Sequence, residues 1–254
     1  MTAAMLLLVL SVSGSAFAAA VFGATPGLRD LRRPRLPVDS GPHWWAAALL
    51  GVLFTFAAVG NLLIPSIARA VDPASQLIDG VVSAVLIAGV AVLATRPITG
   101  LGFPDRSIGS SVRSGVLCGL AVVAPTIVIQ VVRTVFEGAT EEHPLLTELR
   151  ERPSPTMIGA VLLSAVVLAP IAEEIAFRGI IQNTLARRVR GDVAMLVTGA
   201  LFLAIHPAGT MIALVPITFG LGFVYHRTQS LPTVIAMHAA FNAAMISMTI
   251  FGAE

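Results

Sequence analysis

From Val116 to Val135 the chain runs for twenty residues with a single charged side chain, Arg133. An α-helix rising 1.5 Å per residue needs about that length to cross about 30 Å of hydrocarbon. Similar apolar runs begin at Met1, Trp44, Leu77, Pro155, Val193, Met211 and Leu231. A backbone in lipid has no water to satisfy its N–H and C=O groups, so such runs fold as helices. The expected fold is therefore all-α: a polytopic membrane bundle of about eight transmembrane helices, forming one integral domain over 1–254.

Composition supports the same reading. Charged residues make up 12% of the chain, about half of what a soluble domain carries. That is too little polar cover for an ordinary soluble enzyme. The 56% hydrophobic content excludes a disordered chain. All 16 basic residues are arginine, and the formal net charge is only +2, so nucleic acid is not an expected partner. Cys118 is the only cysteine. It cannot close an intramolecular disulfide and reads as a small lipid- or helix-facing residue.

The expected spans run over about 1–22, 44–68, 77–95, 116–135, 193–206, 211–225 and 231–251, with the fifth starting after Pro155 and apolar until Glu173. The first lacks a basic leader and carries its arginines afterwards, so it reads as a retained span rather than a signal peptide. Eleven arginines, at 29–35, 96–113, 187–190 and 227, fall on one side of this arrangement. Arg69, Arg133, Arg150 and Arg152 fall on the other. The excess marks the cytoplasmic side, which puts both termini outside. The loop at 137–151 is acidic, with five glutamates.

Ionisable groups at membrane depth cost about 2.5–3.5 kcal/mol each and so mark function. Four places qualify: Glu173-Glu174 with Arg178, His206, His238 with Asn242, and Asp79. Asp79 lies near a span end and reads as snorkelling to the interface. Glu174 and Arg178 are four apart and can pair along one helix face. Glu173 is rotated about 100° from Glu174 and faces a different neighbour. His238 and Asn242 share a face, as do Phe202 and His206. Depths agree only if the fifth helix continues through Arg178 to about Arg187, which puts Glu173 and His206 both about 21 Å from that end. His238, counted from Leu231, comes out shallower, at about 10 Å.

Each cluster alone has a plain structural explanation, an interfacial ion pair or a helix–helix hydrogen bond. Together they describe a hydrolytic site. A carboxylate beside a histidine can activate water against a carbonyl, and a second histidine and an asparagine can donate to the developing oxyanion. Glu173, His206 and His238 could alternatively ligate a catalytic zinc with an open position. His-Glu-x-x-His, Gly-x-Ser-x-Gly and paired intramembrane aspartates are all missing from the sequence. The competing class is a non-enzymatic membrane protein: a transporter, or an immunity or scaffold protein. Transport is disfavoured by the lack of inverted-repeat symmetry.

Glu173-Glu174-x-x-x-Arg178, Phe202-x-x-x-His206 and His238-x-x-x-Asn242, in that order, resemble the three motifs of the CPBP family. These are the CAAX-protease and bacteriocin-processing intramembrane proteases, also called the Abi family. The resemblance covers about 155–250. It implies an endopeptidase acting on a membrane-associated protein or peptide, by CAAX-type or leader-peptide processing. It further implies that Glu173 and His206 activate water, that His238 and Asn242 form the oxyanion hole, and that Glu174 and Arg178 are the supporting ion pair. The cofactor expectation is either none or a divalent metal such as zinc. The partners expected are the peptide substrate and the lipid bilayer, and the location a bacterial plasma membrane.

Overall fold

The structure, a computed structural model, describes residues 12–13, 15, 43–63, 73–94, 98–103, 107–138, 149 and 154–251. The expected first span apart from residues 12, 13 and 15, most of the acidic 137–151 loop and the side chain of Asp79 lie outside the described residues. Among the described residues there is no strand, and seven main helices form an all-α bundle. They are α1 (Trp44–Leu63), α2 (Pro73–Ala94), α3 (Ile108–Glu137), α4 (Pro155–Ala186), α5 (Gly191–Ala204), α6 (Ala208–Thr228) and α7 (Leu231–Phe251). They correspond to expected spans two to eight. Of these, α3, α4, α6 and α7 are long and apolar enough to cross a membrane unaided.

Local chemistry sets the ends. Ser107 caps α3, its Oγ accepting from the Ser110 N–H at 3.3 Å, and α3 stops at Gly138 with φ +82°. It is thus longer than the expected 116–135. Ser154 caps α4, with Met157 N–H at 3.1 Å and Pro155 in the first turn. The expected sixth span ended at His206, but α5 stops at Ala204. Pro207 disfavours helical backbone in the residue before it, so His206 sits in the turn between α5 and α6. With 14 residues, α5 spans only about 21 Å, short of the about 30 Å of a full crossing.

One unbroken helix, α4, runs from Pro155 to Ala186, meeting the condition that brings Glu173 and His206 level. It is not uniform. Stretches with π-helical geometry, Leu162–Leu168 and Ile175–Gln182, flank a six-residue α segment, Ala169–Glu174, that carries both glutamates. Short π insertions are rare and concentrate at functional sites.

The 98–103 turn meets the end of α4 and the α6–α7 turn at one end of the bundle. Asn183 Nδ2 donates to Gly100 O at 2.8 Å, Tyr225 Oη to Leu101 O at 3.0 Å, and Leu231 N–H to Gly102 O at 2.6 Å. Gly102 has φ +99°, and a Cβ there would press on the Tyr225 hydroxyl at 2.9 Å. Only glycine takes that position without strain. Leu231 and Ser230 are fully buried beneath this turn. Helix α7 therefore starts covered by protein. At the opposite end Arg133 Nη1 donates to Gly209 O at 2.6 Å.

Helix α3 packs most closely on α7. Gly115 and Gly119 form a Gly-x-x-x-Gly face, and a Cβ on either would collide with backbone carbonyls, of Thr233 and of Met237 respectively. Cys118 lies between them and is buried, which settles it as helix-facing. Gly119→Leu is expected to destabilise the bundle by at least about 1–3 kcal/mol through overpacking. Thermal unfolding in detergent, read by size-exclusion monodispersity, checks this. A solvent- or lipid-facing control such as Val135→Leu, at a residue 73% exposed, should not shift it.

Candidate active site

Five of the six expected site residues are on helices, Glu173, Glu174 and Arg178 on α4 and His238 and Asn242 on α7, and the sixth, His206, is in the turn after α5. Glu174 is fully buried, and its Oε1 accepts from Arg178 Nη1 at 3.0 Å, the i,i+4 pair read from the sequence. The same oxygen meets His238 Nδ1 at 2.9 Å. A carboxylate only accepts, so Nδ1 carries a proton and Nε2 is the ring atom left for chemistry. Nε2 lies 3.9 Å from Glu173 Oε2, too far for a direct hydrogen bond and close enough for one water to touch both. The Glu173 side chain is 26% exposed where Glu174 is at 0%. Adjacent glutamates thus have different surroundings: one locked between two cations or donors, the other open.

Arg178 is held beyond Glu174. Its Nη2 donates to Thr218 O at 3.1 Å, and Gln182, one turn on, donates to Gly222 O at 2.9 Å. Two side chains four apart on α4 meet two carbonyls four apart on α6, which fixes the register of the two helices. The Arg178 guanidinium also lies 4.6 Å over the Phe202 ring, a cation–π contact. Sequence reasoning passed over Gln182, although an amide four residues after a buried arginine in an apolar helix was the available signal.

Phe202 is the hub between the motifs. Its ring lies 4.9 Å from Phe177, 4.7 Å from the His206 imidazole and 6.1 Å from that of His238. One phenyl ring therefore separates the two histidines. His206 Nδ1 contacts Phe202 O at 2.7 Å. A carbonyl only accepts, so Nδ1 carries the proton and Nε2 is an acceptor.

Asn242 is placed differently from the other five. Its Nδ2 donates to Ala165 O at 2.7 Å, two turns of α4 before Glu173. The expected pairing of His238 with Asn242 on one face of α7 holds, but one amide N–H of Asn242 is taken by α4. A cluster of three His, Cys, Asp or Glu side chains able to hold a metal ion is not found among the described residues. Of the expected zinc set, Glu173 Oε2 and His238 Nε2 are 3.9 Å apart, and the Phe202 ring lies between His238 and His206.

Residues 155–244, from the start of α4 through most of α7, match the family model of type II CAAX prenyl endopeptidase Rce1-like proteins. The segment carrying all three motifs thus matches the CAAX-type intramembrane protease family they resemble. No curated protein and no solved structure matches the chain.

Proposed function

We propose that the protein is an intramembrane endopeptidase that hydrolyses a peptide bond of a membrane-associated protein or peptide by attack of an activated water. The observation that carries this reading is the split between adjacent glutamates: Glu174 buried and paired, Glu173 open beside His238 Nε2. Glu173 takes a proton from water as its oxygen bonds to the scissile carbonyl carbon. The Nε2 lone pair of His206 helps to orient that water. The carbonyl oxygen becomes an oxyanion, and His238 and the second Asn242 N–H donate to it. With Nδ1–H committed to Glu174, His238 donates from Nε2 only as an imidazolium, and Glu174 supplies the counter-charge. The C–N bond then breaks, and the leaving amine collects the proton held on Glu173.

The family match supports an endopeptidase of the CAAX type. A prenylated C-terminal peptide is accordingly the first substrate class to test, and a leader peptide the second. Comparing membrane peptides between cells carrying the wild-type chain and cells carrying Glu173→Gln tests the reading. Uncleaved precursors should accumulate only with the variant. Identical peptide profiles would count against it.

The arginine-bearing ends meet on one face of the bundle, through Gly102–Leu231 and Asn183–Gly100, and we assign that face to the cytoplasm. Reporter fusions at residues 109 and 145 should report opposite sides, with 109 cytoplasmic. A cytoplasmic signal at 145 would reverse the assignment.

A further inference from the structure

The contact between Asn242 and Ala165 has a cause in the sequence. In an α-helix the Ala165 carbonyl would accept from the N–H of residue 169, and in a π-helix from residue 170. The Ala169 N–H instead bonds to Ser164 O, closing the π stretch Leu162–Leu168. Residue 170 is proline and has no N–H. Neither helical donor serves Ala165 O, which is part-buried and needs another. Asn242 Nδ2 supplies it at 2.7 Å. Pro170 itself is buried, three residues before Glu173.

We propose that Pro170 is a positioning residue for the hydrolytic site. By withholding an N–H it reserves the Ala165 carbonyl for Asn242. That bond fixes the plane of the Asn242 amide and leaves its second N–H to donate to the oxyanion. The inference rests on the reading of Asn242 as an oxyanion donor and adds what aims it. It also explains what the π stretch does here, since moving the Ala169 N–H from Ala165 O to Ser164 O is what makes the carbonyl available.

The test is a double-mutant cycle on the full chain in lipid nanodiscs with a prenylated peptide. Pro170→Ala restores an N–H able to compete for Ala165 O. It should lower kcat about 10-fold or more, as part of the about 10²–10³ that one oxyanion donor is worth, with KM unchanged. In an Asn242→Ala background it should cost nothing further. Thermal stability should hold or rise, since alanine suits a helix interior and proline does not. Losses that multiply in the double variant, or wild-type kcat in Pro170→Ala, would overturn the proposal. A second readout does not need activity. With carbonyl-¹³C alanine and side-chain-¹⁵N asparagine, solid-state NMR should show an Ala165–Asn242 correlation that is lost in Pro170→Ala; its persistence would equally overturn the proposal. If the wild-type chain cleaves nothing, the hydrolase reading fails on that result, while the correlation still decides the link between Pro170 and Asn242.

Discussion

Glu173→Gln is expected to abolish peptide cleavage while leaving the chain inserted and folded. Glutamine keeps the size of the side chain and its capacity for hydrogen bonding, but it cannot take a proton from water. The position tolerates the change because it is 26% exposed and its nearest cationic or donor group, His238 Nε2, is 3.9 Å away. No buried charge is left stranded by the substitution. General-base catalysis contributes about 10²–10⁴ in rate, and among the described residues the site offers no second carboxylate in the open position. Steady-state cleavage and circular dichroism on the same preparation check both halves. Asn242→Ala should be milder in turnover, since His238 still donates.

Arg178→Met is expected to fail in a different way. Arg178 and Glu174 are both fully buried, with side-chain exposures of 1% and 0%. Removing the guanidinium leaves the Glu174 carboxylate with His238 as its one remaining partner in this site, and also strips a donor from the Thr218 carbonyl on α6. Breaking a buried pair on one side costs about 3–5 kcal/mol. The Phe202 ring loses the cation stacked on it at 4.6 Å. Stability and activity should therefore fall together, read by thermal unfolding in detergent. Glu174→Gln with Arg178→Met should recover part of the stability without recovering turnover, because it removes the stranded charge but leaves His238 without its anionic partner.

The bundle and the ion pair were legible because they rest on rules that act locally. Apolar length sets a span, and i,i+4 spacing alone puts Arg178 on Glu174. That α4 runs past Arg178 is what helix rise required to level Glu173 with His206. What could not be read depends on which helices meet. The partner of His238 Nδ1 was missed because Glu174 is 64 residues away in the chain. The π stretches leave only faint traces in sequence, Pro170 among them. The Gly115–Gly119 face becomes informative only when α7 is seen against it.

The most direct measurement is cleavage of a membrane-embedded, prenylated peptide by the purified protein in nanodiscs, with products identified by mass spectrometry. The wild-type chain should yield two fragments of a single hydrolysed bond, at a rate unchanged by phenanthroline, and Glu173→Gln should yield none. Equal cleavage by both proteins, or by neither, would contradict the assignment of Glu173 as the base. Loss of cleavage on chelation, restored by zinc, would contradict the metal-free form of the mechanism.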